Sequence, residues 1–306
     1  MTEILLKIGT RGSPLALAQT HEVRRLLAAA NGCDESRFAI VVIRTTGDMI
    51  QDRPLSEAGG KGLFTKEIDA AMLNGEIDVA VHSSKDLPTA MPEGVAIAGY
   101  LPREDVRDAL VSVHADSIAA LPPGATLGTA SLRRQAQVRR LRPDIQTVLL
   151  RGNVETRLRK AEAGEVDATI LAYAGLKRLG LAHRATAVLD IDTFLPAVGQ
   201  GAIGLTARTN DAATHLALGR IVDADTGYAL AAERAFLAVL DGSCRTPIAG
   251  HARVALGRIS FRGMVLRADG SQIFEVEMNG ATSDARKLGA EAGHDLLSRL
   301  PAGVLG

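Results

Sequence analysis

An ordered internal repeat constrains the fold of this chain most tightly. Gly9-Thr10-Arg11-Gly12-Ser13 precedes a helix pattern near the N-terminus, and Gly128-Thr129-Ala130-Ser131 precedes another in the second third of the chain. Gly75-Glu76-Ile77-Asp78 closes a helix and opens a strand, and Gly164-Glu165-Val166-Asp167 does the same later. Ahead of these, Gly62 with Thr65-Lys66 loosely matches Gly152 with Thr156-Arg157. Marks recurring in this order predict two similar α/β lobes. The plainer alternative is that any two strand–helix–strand units share such marks.

Element patterns support two lobes. Ile4 to Ile8 reads as a strand, and Ser13-Pro14 as an N-cap with proline at the first helical position, opening a helix to about Ala30. Phe38 to Arg44 reads as a strand, Leu63 to Leu73 as a helix ended by Asn74-Gly75, and Ile77 to Val81 and Val95 to Ala98 as strands. Such alternation predicts mostly parallel sheets covered by helices. Tyr100 to Arg103 and Leu195 to Gly201 carry Pro and Gly between the lobes and read as hinge crossovers. After the second, Ala202 to Thr206 returns to the first lobe as a strand. From about Thr226 the pattern changes. A helix from Tyr228 to Leu240 precedes strands His251 to Leu256, Ile259 to Leu266 and Gln272 to Met278, with a hairpin at Ala268-Asp269-Gly270 and a last helix from Asp284 to Leu300. The predicted fold is α/β: two similar binding-protein-like lobes with mixed, mostly parallel sheets and two hinge crossovers, plus a small C-terminal α+β domain. The expected division is 1–100 plus 200–219, 105–195, and 225–306. Gly47 to Gly62 lacks a strong pattern and reads as a candidate lid.

Charge and composition narrow the function. Lys plus Arg and Asp plus Glu each total 35, so an anion site must come from local clustering, and a general nucleic-acid or membrane-surface binder is disfavoured. Aromatic residues are 3% with no Trp, which argues against base-stacking platforms. Two cysteines, Cys33 and Cys244, are too few for a disulfide framework, and no Cys/His cluster suggests a metal. No apolar run approaches the roughly 20 residues that span a bilayer, and Met1 to Thr10 lacks a leader pattern. The expectation is a cytoplasmic chain.

Cations gather where strands end and helices begin. Arg11 follows the first strand, Lys85 follows Ile77 to Val81, and Arg133-Arg134 open the helix after Ser131. Arg151 follows the strand Thr147 to Leu150, with Arg157 further on, and Lys61 lies in the glycine-rich segment. In open α/β sheets, ligands bind at the carboxyl ends of strands. Helix N-termini add unpaired N–H groups there, and Arg forks match carboxylates or phosphates. The group at equivalent ends of both lobes predicts a cleft for a multiply negative ligand. Taken singly, each arginine reads better as a solvated or salt-bridged surface residue, and Arg139, Arg140, Arg142 and Arg159 are left with that reading.

Asp86 is an acid among these cations. It is either a plain ion-pair partner of Lys85 or a turn-forming residue, or a carboxylate aimed at developing positive charge that exchanges protons with a substrate nitrogen. His82, within or beside its strand, reads as a packed histidine. Cys244 sits in a Gly-containing turn and Cys33 in a loop; either is an inert thiol or, as a thiolate, an attachment point. Gly59-Gly60-Lys61-Gly62 lacks the full phosphate-loop spacing, so an ATP-binding loop is rejected.

Several runs together resemble the hydroxymethylbilane synthase (porphobilinogen deaminase) family. They are Gly9 to Gln19, Gly59 to Phe64, Val81 to Pro88, Gly128 to Gln135, Arg151-Gly152-Asn153-Val154 with Arg157, Gly199-Gln200-Gly201-Ala202, and the Cys244 turn. They span all three expected domains in the family's order. The resemblance implies a transferase that polymerises four porphobilinogen molecules on a dipyrromethane cofactor held by a thioether to Cys244, releasing hydroxymethylbilane in tetrapyrrole synthesis. It implies that Asp86 meets pyrrole N–H groups and assists loss of ammonia. Carboxylate-holding cations match Arg11, Lys61, Lys85, Arg133, Arg134, Arg151, Arg157 and Arg178, and hydroxyls match Ser13, Thr129 and Ser131. Of these, Lys85, Arg133, Arg134, Ser131 and Thr129 are expected at the cofactor; Arg11, Ser13, Lys61, Arg151, Arg157 and Arg178 are expected at the substrate. Porphobilinogen is the expected partner, and a monomer the expected state. Two positions depart from the family pattern: Ser243 stands where Gly is usual before the cysteine, and Tyr173 where a smaller residue is common.

Two rivals remain. A two-lobed anion-binding protein without catalysis explains the arginines but leaves Cys244 and Asp86 idle. The effector domain of a transcription regulator lacks any visible helix-turn-helix or basic stripe.

Overall fold

The computed structural model describes residues 4–49, 62–240, 246–301 and 303–305. The chain begins with β1 (Leu6–Thr10), α1 (Pro14–Asn31), β2 (Phe38–Val42), α2 (Thr46–Met49), α3 (Lys66–Leu73), β3 (Val79–Ser83) and β4 (Val95–Tyr100). It continues through β5 (Asp108–Ser112), β6 (Thr126–Gly128), α4 (Leu132–Leu141), β7 (Gln146–Val148), α5 (Val154–Glu162), β8 (Ala168–Ala172), α6 (Tyr173–Arg178) and β9 (Ala187–Val188). Then come β10 (Ile203–Arg208), α7 (Ala212–Leu218), α8 (Ala224–Val239), β11 (Ile248–Ala255), β12 (Arg258–Leu266), β13 (Ile273–Ala281) and α9 (Ala285–Arg299).

Two sheets share one plan. The first has the order β2-β1-β3-β10-β4 and the second β7-β6-β8-β5-β9. In each, three parallel strands lie beside an antiparallel fourth, which pairs with an antiparallel fifth. The two lobes anticipated from the repeat are therefore present, with mixed sheets. The strand expected to return to the first lobe is β10. The antiparallel strands enter from the crossovers, so their N-terminal ends meet the carboxyl ends of the parallel strands: Ile203 pairs with Ser83, and Asp108 with Ala172.

Local chemistry explains most boundaries. Ser13 caps α1 by accepting from the Ala16 N–H at 3.3 Å, and Pro14 needs no donor partner in the first turn. The strand β3 begins two residues later than its apolar run, because the Asp78 side chain accepts from the Lys7 N–H at 2.9 Å and holds the preceding turn. The helix α3 starts at Lys66 rather than Leu63, since Gly62 to Thr65 form a turn. Gly47 to Met49, expected within the candidate lid, belong to α2; residues 50–61 of that segment lie outside the described residues.

The C-terminal module packs α8 and α9 on the sheet β11-β12-β13 around Phe236, Phe261, Leu230 and Leu296. Tyr100 of β4 joins that core, while Ala136 of α4 and Leu195 pack against Ala249, Met264 and Leu266. The module thus touches both lobes. Glu233 of α8 is wholly buried at this junction. It accepts from Arg103 of the first crossover at 2.5 and 3.0 Å, from the Gly199 N–H of the second at 2.7 Å, and from the Ala252 N–H of β11 at 2.8 Å. Burial opposes its ionisation, yet Arg103 and His251 outweigh burial and hold the carboxyl well below its ordinary range.

Candidate active site

Strand direction gathers the predicted residues. Arg11 and Ser13 follow β1; Lys85 and Asp86 follow β3; Thr129, Ser131, Arg133 and Arg134 follow β6; Arg151 and Arg157 follow β7; Arg178 ends α6, directly after β8. Apart from Arg178, at the far end of α6, they follow the carboxyl ends of parallel strands, the edge where α/β sheets bind ligands. Arg157 feels the charges of Arg134, Arg151 and Asp86, which brings residues of both lobes to one place. Lys61 and Cys244, with Ser243 beside it, lie outside the described residues.

Asp86 ends a short 3-10 turn and keeps 35% of its side chain exposed. Its Oδ2 lies 3.8 Å from Arg11 Nη1. The partner is thus Arg11 rather than the neighbouring Lys85. Arg11 is itself held firmly: Asp48 of α2 accepts from its Nε at 3.1 Å and also from Nη2, and its guanidinium stacks 4.1 Å from the centroid of the Phe64 ring.

Lys85 is exposed as a residue, with its ammonium near Gln200 and under the charges of both lobes. Desolvation first, and then Arg134, push it down to about 8 against the pull of Asp86 and Asp108. Its Nζ donates to Gln200 Oε1 at 3.4 Å.

Arg133 and Arg134 are buried at 5% exposure, not open in the cleft. Asp108, wholly buried at the start of β5, lies 2.8 Å from Arg133 Nη1 and 2.7 Å from Arg134 Nη2. Burial raises the Asp108 carboxyl, but the two guanidinium groups and Gln200 more than reverse this. Arg133 also donates to the Leu195 carbonyl and Arg134 to the Ile170 carbonyl, each at 2.8 Å. Nε of Arg133 is buried without a hydrogen-bond partner among the described residues.

Arg157 donates through Nε to the Gly152 carbonyl at 2.8 Å, and the Asp86 charge acts on it from the first lobe. Burial and the neighbouring Arg134 and Arg151 lower it to about 10. Arg178 bridges elements instead: Nη2 donates to the Gly201 carbonyl at 3.0 Å, and Nε lies 3.5 Å from Glu22 of α1.

The hydroxyls serve as caps. Ser131 accepts from the Arg134 N–H at 3.4 Å, and Thr129 accepts from the Ser131 N–H at 3.2 Å, so each keeps its own proton to donate. His82 is buried, lies 3.2 Å from Thr206 Oγ1, and is pushed down to about 4 by burial and then Arg11. It is a neutral packed histidine, as expected. Of the arginines read as solvated or salt-bridged, Arg142 is paired with Asp144 at 2.6 Å and also bonds the carbonyls of Ile118, Ala119 and Leu121, while Arg139 bonds the Ala268 carbonyl and Thr147.

Sequence reasoning missed Asp48, Asp108 and the role of Gln200. Asp108 had one signal: a carboxylate adjoining the wholly apolar Ala109-Leu110-Val111. Chemically, the edge offers excess cations with donors to spare and, in Asp86 and Asp48, partly exposed carboxylates, of which Asp48 is bound to Arg11. The desolvated Lys85, the Arg157 fork and the orphaned Arg133 Nε are the donor set that a cofactor bearing several carboxylates needs, so the residues present fit such a group. No cluster of metal-ligating residues occurs among the described residues, and no helix there is long and apolar enough to cross a membrane.

Comparison with known proteins gives matching results. Residues 6–216 match the family model described as porphobilinogen deaminase, dipyromethane cofactor binding domain, and residues 228–298 match the C-terminal domain of the same family. A porphobilinogen deaminase of Nitrobacter winogradskyi is 59% identical over 97% of this chain and 94% of its own length. One from Nitrobacter hamburgensis is 58% identical with the same coverage. Among solved structures, a periplasmic substrate-binding protein of an ABC transporter from Coxiella burnetii is 14% identical, with a TM-score of 0.45 over 71% of this chain and 92% of its own.

Proposed function

The chain belongs to the porphobilinogen deaminase family, and on that premise we propose how its own residues carry the reaction. It is a deaminating transferase with hydroxymethylbilane synthase activity: it joins four porphobilinogen molecules head to tail on a bound dipyrromethane cofactor and releases hydroxymethylbilane and ammonia, in tetrapyrrole biosynthesis. When bound, the cofactor supplies the nucleophilic pyrrole carbon to which substrate is added.

Asp86 is the catalytic carboxylate in this reading. As the substrate C–N bond breaks, positive charge spreads over the pyrrole, and a fixed carboxylate in a partly dry site stabilises it far more than water does. The same group accepts from pyrrole N–H donors and keeps substrate in register. The observation that carries the assignment is the position of Asp86: partly exposed, loosely paired with Arg11 at 3.8 Å, and near enough to Arg157 of the opposite lobe for its charge to act there. Arg11, Ser13, Lys61, Arg151, Arg157 and Arg178 hold substrate acetate and propionate groups. Lys85, Arg133, Arg134, Thr129 and Ser131 hold the cofactor, and Cys244 carries it through a thioether. Because Asp108 takes much of their charge, Arg133 and Arg134 orient the ligand more than they neutralise it. The working division remains 1–100 plus 200–219, 105–195, and 225–306, and the working state is a cytoplasmic monomer.

Intact-protein mass spectrometry tests the reading. The expected result is an adduct of two pyrrole units on the wild-type chain, lost in Cys244→Ser; a wild-type chain at its bare sequence mass rejects it. A native spectrum of the same sample tests the monomer, and recovery of the chain outside the cytoplasmic fraction would refute the proposed location.

A further inference from the structure

We propose that Gln200 is a positioning residue that fixes the Lys85 ammonium and ties it to the arginine pair of the opposite lobe. The inference deepens the reading of Lys85 as a ligand-holding cation and rests on it.

Gln200 lies in the second crossover and is 1% exposed. Its Nε2 donates to the Val106 carbonyl at 2.8 Å and to Asp108 Oδ1 at 3.0 Å. Both partners are acceptors only, so the amide cannot turn over without placing its oxygen against two oxygens. Its Oε1 must therefore face the other way, where Lys85 Nζ lies at 3.4 Å. The backbone enforces this placement. Gly199 has φ +75°, and a Cβ there would lie 3.0 Å from both Lys85 N and Ser84 Oγ; its N–H is held by Glu233 at 2.7 Å. On the far side, the Gln200 carbonyl accepts from Arg103 Nε at 2.9 Å.

A chain of contacts results, buried from Gln200 onward. Lys85 of the first lobe meets Gln200; Gln200 meets Asp108 of the second lobe; Asp108 meets Arg133 and Arg134. A carbonyl oxygen aimed at an ammonium favours its charged form. The charged groups acting on Lys85 are Asp86 on its own turn, Asp108 on β5, and Arg133 and Arg134 on α4. Desolvation and the arginines work against the charge and Asp86 and Asp108 support it; the Gln200 oxygen, at 3.4 Å, adds to that support. The chain has a positional effect as well. Both crossovers contribute to it, so the direction in which Lys85 points depends on how the lobes sit.

The test reads Lys85 directly. Holoenzyme is trace-labelled with acetic anhydride across a pH series, and acetylation of the Lys85 peptide is quantified by mass spectrometry; the midpoint reports the ammonium. Gln200→Met keeps the length and removes the oxygen, and its midpoint is expected to fall by about one pH unit. Gln200→Glu puts a carboxylate in its place, and the midpoint should rise by at least as much. Loss of structure would carry the midpoint upward toward free lysine, about 10.4, so a fall in Gln200→Met cannot come from misfolding. If Gln200→Met does not accumulate as folded holoenzyme, Gln200→Asn, too short to reach Lys85, replaces it with the same expected fall. Unchanged midpoints, or shifts of one sign in both variants, overturn the proposal. Lys85→Gln separates the two claims: normal kcat and KM there would refute the ligand-holding reading of Lys85, while the labelling shifts still decide the role of Gln200.

Discussion

Asp48 and Asp86 both face Arg11, the first through a paired hydrogen-bond contact and the second at 3.8 Å. That difference decides their roles. A bidentate carboxylate orients the guanidinium and shares its charge, whereas one beyond hydrogen-bond range keeps its lone pairs for another donor. Asp86→Asn should therefore leave KM within a few-fold and lower kcat by about 10³, roughly 4 kcal/mol of lost charge stabilisation. Steady-state kinetics checks this, and near-normal turnover would remove Asp86 from the mechanism. At this scale the cations were legible because they follow strand ends. Their partners were not, since Asp48 and Asp108 reach Arg11, Arg133 and Arg134 across gaps in sequence that no local pattern records.

Among the elements, α4 shows how a local signal and a distant contact combine. Its start was readable from Ser131, which caps it. Its far end was not, because there it meets the β12–β13 hairpin. Gly270 adopts φ +78°, and a Cβ would lie 2.7 Å from Arg140 N and 2.8 Å from the Ala136 carbonyl. Arg139 completes the contact by donating to the Ala268 carbonyl at 3.0 Å. Gly270→Val combines left-handed strain with a backbone collision, so it should cost about 2–4 kcal/mol. It should also raise KM, because α4 carries Arg133 and Arg134 at its other end. Thermal melting together with kinetics checks this; an unchanged melting temperature would show that the hairpin tolerates the displacement. The turn at Ala268-Asp269-Gly270 was predicted from its residues, but nothing in them revealed what it would pack against.

For the molecule as a whole, Glu233 joins both crossovers to the C-terminal module. Removing its charge leaves Arg103 buried without a carboxylate, which costs about 3–5 kcal/mol. The pH dependence has a definite sign. The folded carboxyl lies below its ordinary 4.5, so its stabilisation is complete above that value and fades as pH falls toward the folded pKa. Glu233→Gln should therefore be less stable at neutral pH and lose less on acidification; parallel acid-loss curves in urea unfolding would contradict this. The two-lobe plan itself was visible in the repeated glycine-bearing segments, because each marks the same step of the same sheet. The tie through Glu233 was not, since it depends on three distant stretches meeting.

The strand orders also set a timetable for the nascent chain. All five strands of the second sheet come from one stretch, Asp108 to Val188, whereas in the first sheet β4 can pair only with β10, which ends at Arg208. Domains usually complete in the order the ribosome delivers them. Here the half translated first must wait with an unfinished edge until the half translated second has emerged, so truncation between Val188 and Ile203 would strand the N-terminal portion, not the later one.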